Sequence, residues 1–332
     1  MLTKRTLMAT FGAAAIALST AQTASAASHA FEPTKPIDFV IMAGAGGGAD
    51  QIARFIQSVA EKMDLTTRPL VPNNKGGGSG AEALIALNGA SDPDHTILVT
   101  LNSFFATPLR QPGLGIDIQT FTPVAMMGVD PFVLWVHKDS GITTFEQWLD
   151  VVKAEDGNYI MGGTGSGQED SVLTAMMEAE FGYKVTYIPF PGGGTVAKNL
   201  IGKQIDSTVN NPSEQMAFYQ AGSSKPLVQF TGERMAAFPD VPTAKELGIG
   251  IEYYMQRSVN GPPGMSAGAA EFYRNLFQEL FDSKEWQDFC TSDGLTCDTM
   301  IAGSDLGEFH ATQYVAHEKL IEQVGASAIT GE

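Results

Sequence analysis

Three glycine-rich turns stand where a short apolar run ends and a helical pattern begins: Gly44-Ala45-Gly46-Gly47-Gly48, Gly162-Gly163-Thr164-Gly165-Ser166-Gly167 and Gly192-Gly193-Gly194, with Gly76-Gly77-Gly78 as a fourth. Glycine lets the backbone approach a ligand closely, and the helix that follows offers N–H groups at the positive end of its dipole. Such a turn can hold an anion without any cationic side chain. Any one of them can equally be a tight turn and nothing more, whereas three at matching positions point to a shared anion site. Gly44-x-Gly46-x-x-Ala49 formally fits the dinucleotide fingerprint. The next strand, however, ends Val71-Pro72-Asn73-Asn74 where an acid for the ribose is expected, so a dinucleotide is excluded. A P-loop is excluded because no G-x-x-x-x-G-K-[ST] occurs.

Residues that could carry catalysis are sparse. His29, His95, His137, His310 and His317 are scattered, with no H-E-x-x-H or clustered Cys/His pattern. His310 and His317 share a helical face, read as part of a solvated C-terminal helix. Ser79 and Ser166 lie in glycine-rich loops, but neither completes a G-x-S-x-G elbow. Asp50, Glu169 and Asp170 follow glycine turns as helix-starting acids, which suits the helix dipole. The expectation is no catalytic set, no metal and no cofactor.

The elements that would position these turns are legible in the chain. Of 332 residues, 43% are hydrophobic and 17% charged, which argues for a folded protein long enough for two ordinary domains. Lys4 and Arg5 precede an apolar stretch over 7–18 that runs on to Ala24-Ser25-Ala26, the pattern of a cleavable export leader over residues 1–26. The apolar stretch is too short to span ~30 Å of hydrocarbon. Without Lys4 and Arg5, 18 of the 20 basic residues remain against 37 acidic ones, which takes the net charge from −17 to −19. So acidic a chain is not expected to bind nucleic acid or an anionic membrane surface. Release into the periplasm is expected. In that oxidising compartment Cys290 and Cys297 are expected to form a disulfide, the rival being two buried free thiols.

Short apolar runs near 37–42, 68–71, 96–101, 132–136, 159–161, 185–188, 207–209 and 227–230 alternate with helical patterns, which predicts an α/β fold with parallel sheets. Two such series imply two doubly wound lobes with a cleft between them. The long extended segments at 123–136 and 251–259 are the candidate crossings. Residues 27–127 and 252–332 would then form a discontinuous first lobe, with 128–251 inserted as the second.

The order of motifs carries a resemblance. Gly46-Gly47-Gly48-Ala49-Asp50, Asn73-Asn74-Lys75-Gly76-Gly77-Gly78-Ser79-Gly80, Asp92-Pro93-Asp94 and Phe121-Thr122-Pro123-Val124 come first. Gly163-Thr164-Gly165-Ser166-Gly167, Ile188-Pro189-Phe190 and Phe238-Pro239-Asp240-Val241-Pro242-Thr243 with Glu246-Leu247-Gly248 follow. Over nearly all the chain beyond the leader this resembles the solute receptors of tripartite tricarboxylate transporters, the Bug family. The resemblance implies a type II periplasmic-binding-protein-like fold, two lobes joined by two crossing strands, closing on a small carboxylate. It also implies a ligand held by Gly46 and Gly47 from one lobe and by Thr164, Ser166, Gln168 and Gly193 from the other. One departure is Ile188-Pro189-Phe190-Pro191-Gly192, which replaces the family's V-P-Y-K-G and so loses its Lys. Another is Tyr254-Met255-Gln256-Arg257, which brings a cation to the inferred cleft. Arg257 would suit a distal carboxylate, or else a surface or interlobe ion pair. Asn102, Ser103 and Asn210, at strand ends, would read polar groups of the ligand.

The expected function is therefore a monomeric, non-enzymatic receptor that passes a small organic carboxylate, di- or tricarboxylates first, to a membrane permease. A secreted serine hydrolase and a ligand-sensing subunit for a signalling kinase are the alternatives.

Overall fold

The computed structural model describes residues 31–324, and the expected leader lies outside the described residues. Its first half runs β1 (Ile37–Ile41), α1 (Gly48–Lys62), β2 (Leu70–Asn74), α2 (Ala81–Asn88), β3 (Thr96–Val99), α3 (Ser103–Arg110), β4 (Thr122–Pro131). The middle runs β5 (Val133–His137), α4 (Phe145–Ala154), β6 (Ile160–Thr164), α5 (Glu169–Phe181), β7 (Thr186–Phe190), α6 (Gly193–Ile201), β8 (Ser207–Asn210), α7 (Pro212–Gln220), β9 (Ser224–Gln229). The rest is β10 (Tyr254–Gly261), α8 (Ala267–Phe281), α9 (Lys284–Asp293), β11 (Ile301–Ala302) and α10 (Gly303–Val324). Two mixed sheets result, ordered β11-β4-β10-β3-β1-β2 and β7-β6-β8-β5-β9. No described helix is long and apolar enough to cross a membrane.

Strand and helix follow from burial. β1 buries Ile37, Phe39, Val40 and Ile41, an apolar run suited to a parallel strand covered on both faces. α1 buries Ile52, Ile56 and Val59 at helical spacing, with Asp50 in its first turn and Lys62 in its last. Trp135 of β5 and Trp148 of α4 are fully buried, their indole N–H groups donating to the Asn210 carbonyl (3.1 Å) and Ser207 Oγ (3.2 Å) of β8. Two helices escape the hydrophobic pattern. α3 carries Pro108 in its interior, and α7 buries only Pro212 and Gln215.

The segment 123–136, expected as one crossing strand, is two. β4 belongs to the first sheet and β5 to the second, with Phe132 between them. Pro131 brings no N–H to continue the ladder, so pairing breaks where the chain changes sheets. β4 and β10 run antiparallel from Tyr254 opposite Pro131 to Gly261 opposite Thr122. A disulfide joins Cys290 to Cys297 with their Cα atoms 6.2 Å apart. It sets Thr296 against Val129 of β4, and the two residues exchange backbone hydrogen bonds of 2.9 Å each.

The segment from Phe238 to Gly248 is a structural brace. Gln229 Nε2 donates to the carbonyls of Phe238 (3.0 Å) and Val241 (2.6 Å). Thr243 and Glu246 exchange capping-box bonds, and Arg234 pairs with Glu246 at 2.8 Å. The solvated face expected for His310 and His317 is instead buried. Both rings pack on Phe105, and His310 also packs on Phe104. Burial of α10 against α3 overrides the polar identity of these side chains and pushes the His310 imidazole down to about 4.

Candidate functional site

The glycine turns of both sheets meet over one small space. Gly44 and Gly46, between β1 and α1, press against Pro191 and Gly194, between β7 and the start of α6. A Cβ on Gly44 would lie 2.5 Å from the Pro191 carbonyl oxygen, and one on Gly194 would collide with the Gly46 carbonyl. These two turns are glycine because each is the other's wall. The space they enclose is about 30 Å³, room for roughly one water. Gly47, Gly48, Thr164, Glu169, Glu214 and Arg257 are among its lining.

Most turn amides already have acceptors. The Gly46 N–H donates to Asp50 Oδ2 (2.8 Å) and the Gly47 N–H to the Gly44 carbonyl (3.3 Å). In the second sheet the Thr164 N–H donates to Asp170 Oδ2 (2.8 Å), and the Gly165 N–H to Gln168 Oε1 (2.8 Å). The two turns are thus built alike, each clasped by an acid in the first turn of its own helix. The Gly48 N–H crosses between the sheets and donates to Glu214 Oε1 (3.0 Å) at the start of α7. Asn210 Nδ2 donates to the other Glu214 oxygen (2.8 Å), and a Cβ on Gly193 would collide with the carboxyl.

Arg257 projects from β10 onto the Gly48 backbone and is 1% exposed. Its Nε donates to Asp130 Oδ2 (3.1 Å), its Nη2 donates to the same oxygen and to Asn211 Oδ1 (3.3 Å), and Asp130 is itself fully buried. The ion pair of Arg257 thus joins neighbouring strands β10 and β4 of the first sheet, Asn211 is its partner from the second, and the guanidinium is still on the cavity wall. Ser103 gives its N–H and hydroxyl to Glu169 Oε1, the hydroxyl at 2.7 Å. Ser166 contributes its carbonyl, which accepts from Ser79 Oγ (2.8 Å) and Arg110 Nη1 (3.1 Å). Asn102 bridges to β10, with its Nδ2 donating to the Tyr254 carbonyl (2.7 Å) and its Oδ1 accepting from the Gln256 N–H (3.0 Å). Of the anticipated residues, Gly47, Thr164, Gln168, Gly193 and Arg257 line the cavity. Gly46 and Asn210 stand behind that lining through Asp50 and Glu214, while Ser103 and Ser166 latch one sheet's helices to the other's.

Sequence reasoning misses Glu214, Asp130 and Asn211. One signal was available: Glu214 sits two residues after Pro212, in the first turn of a helix that follows a strand, as Asp50 and Asp170 do. Burial pushes Glu214 up to about 7, Arg257 opposing and Asp130 adding to the rise. Burial raises Asp170 well above its ordinary value, with the Glu214 charge adding, and raises Glu169 as well. A larger groove of about 840 Å³ lies on the other face of β10, where Tyr254 and Gln256 point, while Met255 and Arg257 face the small cavity. The glycine turns line only the smaller of these two spaces. One hydroxyl–imidazole contact occurs among the described residues, Thr34 Oγ1 with His95 Nε2 (3.3 Å), and neither residue lines the cavity. Ser79 gives its proton to a carbonyl, and His95 bonds Asp92 (3.1 Å) while His317 bonds the Gln313 carbonyl (2.7 Å).

Comparison with known proteins agrees with this architecture. The sequence profile described as "Tripartite tricarboxylate transporter family receptor" matches residues 52–325. A UPF0065 protein of Bordetella pertussis is 28% identical over 218 residues, 65% of this chain and 67% of that protein. BugT of the same organism is 25% identical over 239 residues, 70% and 72% of the two chains. Among solved structures, the periplasmic binding protein BugD superposes with a TM-score of 0.84 at 21% identity, covering 89% of this chain and 99% of BugD. An R. palustris protein solved with adipate gives 0.82 at 21% identity and covers 88% and 98%. MatC of Rhodopseudomonas palustris, solved with malate, gives 0.80 at 21% identity and covers 87% and 99%. These likenesses establish the two-lobed α/β fold of periplasmic binding proteins. With the profile spanning most of its length, this chain belongs to the tripartite tricarboxylate transporter receptor family.

Proposed function

We propose that the protein is an exported, monomeric periplasmic receptor that binds a small organic carboxylate between its two sheets and hands it to the permease of a tripartite transporter. The observation that carries this is the convergence of three glycine turns from two sheets, with Arg257, on one enclosed space. The adipate and malate in two proteins of the same fold support the ligand class. Residues 27–127 and 252–332 would act as one lobe and 128–251 as the other, after removal of residues 1–26. A space of one water cannot hold a carboxylic acid of several carbons, so the lobes must part about β4 and β10 to admit one. The ligand would meet Gly46, Gly47, Asn102 and Ser103 from the first lobe side, with Arg257 from β10. Thr164, Ser166, Gln168, Gly193 and Asn210 would come from the second.

A thermal-shift screen against organic acids tests the reading. A ligand at 100 times its dissociation constant stabilises the folded state by about 2.7 kcal/mol. A protein stripped of co-purified ligand by unfolding and refolding that responds to no acid would sink the proposal. Closure has its own probe, Gly194→Ala, which sets a methyl against the Gly46 carbonyl and should weaken binding about tenfold or more, since overpacking costs about 1–3 kcal/mol. Unchanged affinity would mean that the two turns do not meet around the ligand.

A further inference from the structure

The space between the glycine turns is lined by more carboxyl groups than a receptor for plain polycarboxylates should tolerate. Glu169, Asp170 and Glu214 all line it, and Arg257 is the one cation among the lining residues. That guanidinium is committed to Asp130 and Asn211, both buried. Glu169 and Asp170 accept bonds from Ser103 and from the Thr164 amide. Glu214, like Glu169, reaches across the space, and it is the one of the three set against glycine turns of both sheets. It takes the Gly48 amide of the opposite sheet, and the Gly193 backbone packs on it without room for a side chain. A di- or tricarboxylate entering here would set further anionic oxygens within a few ångströms of Glu214 in a dry, low-dielectric site, where like charges repel strongly. A protonated amine brings the missing countercharge and only donors, the complement of a carboxylate that only accepts.

We propose that Glu214 is the specificity-determining residue of this cleft and that it selects carboxylates bearing a protonated amine. The Glu214 carboxylate receives the ammonium, and the Gly193 and Gly194 amides that open α6, ahead of Thr195 whose N–H already bonds the Gly192 carbonyl, take the ligand's carboxylate. This rests on the carboxylate-receptor reading above and narrows it from organic acids to amino acids. The substitution Glu214→Gln removes the charge and keeps an oxygen for the Gly48 amide, at the loss of the bond from Asn210 Nδ2.

Titration calorimetry at pH 8 on the stripped protein tests the assignment with pairs that differ by one amine. The pairs are aspartate with succinate, glutamate with glutarate, leucine with 4-methylpentanoate and phenylalanine with 3-phenylpropanoate. In at least one pair the amino member should bind ten or more times tighter than its partner. Glu214→Gln, checked for an intact melting transition, should weaken that amino acid at least tenfold while leaving the plain acid equal or improved. A plain acid that binds as well as its amino partner overturns the proposal and leaves the carboxylate receptor standing. Equal weakening of both members by Glu214→Gln overturns it too, since a merely structural residue would act on both. Failure of every compound to bind overturns the proposal together with the reading beneath it.

Discussion

The turn after β1 and the turn after β6 share one design and differ in charge. In each, an acid from the first turn of the following helix clasps an amide of its own loop: Asp50 takes Gly46, and Asp170 takes Thr164. Asp50 is also bonded by Arg54 Nε (2.9 Å) and Asn74 Nδ2 (3.0 Å), so its charge is balanced locally. Asp170 has no cation, and burial raises its carboxyl well above the ordinary value, the charges of Glu214 and Glu169 adding to the rise. The first turn is a neutral, preassembled wall. The second belongs to a set of buried acids that respond to protonation and to whatever ligand arrives. On the proposals above, discrimination and pH dependence belong to the turn of the second sheet, and rigidity to that of the first.

Arg257 lines the space between these turns and gives the largest expected effect. Arg257→Ala strands Asp130 as a buried charge, and breaking a buried pair from one side costs about 3–5 kcal/mol. Chemical denaturation should show that loss, and adding Asp130→Asn should recover part of it by removing the orphaned charge. Binding separates the two roles. A distal clamp requires a dicarboxylate to lose far more affinity than the matching monocarboxylate, whereas equal losses assign Arg257 to the ion pair alone.

Next in size is the response to pH. The folded-state value of Glu214, about 7, lies above the 4.5 of an exposed glutamate, so its contribution to stability is complete below pH 4.5 and is lost as pH rises to 7. The full loss is about 3 kcal/mol. His310, pushed down to about 4 from 6.5, works in the opposite direction, contributing stability above pH 6.5 that is lost as pH falls towards 4. In the native protein the two largely offset between pH 4.5 and 6.5. Glu214→Gln exposes them. Its melting temperature should exceed that of the native protein at pH 8, the excess should vanish near pH 4.5, and the variant should destabilise steeply on acidification. A constant difference across that range would mean that Glu214 is not the buried titrating acid.

The alternation of elements is legible in the sequence because parallel strands buried on both faces read as apolar runs. The glycine turns are legible because close backbone approach admits little else. Where those turns direct their amides is not legible, since that depends on long-range pairing. Asp130 and Arg257 are 127 residues apart, and Gly48 and Glu214 are 166 apart, with no local pattern linking either pair. The same holds for the burial of His310 and His317, decided by α3 packing against α10, because α3 itself is hidden by Pro108. The break at Phe132 needs knowledge of which sheet each half of the segment joins. Residue types fix what a turn can offer, and the fold decides who accepts it.

The smallest predicted effect tests the comparison most directly. Asp50 accepts on both oxygens, from the Gly46 amide on Oδ2 and from Arg54 and Asn74 on Oδ1. Asparagine at 50 must aim its NH₂ at one of those donors, which loses a charge-assisted bond and sets donor against donor, at a cost of about 2 kcal/mol. At 170 burial raises the carboxyl well above its ordinary value, so far less is given up than at 50 by Asp170→Asn, which keeps an oxygen for the Thr164 amide. Its unfolding free energy should move by less than about 0.5 kcal/mol at pH 7, within the range of an innocuous substitution. If the two variants lose equal stability, Asp170 is ionised like its counterpart and the second turn is only a copy of the first. If Asp170→Asn alone is silent, one loop design has been put to two uses, and buried charge is what separates them.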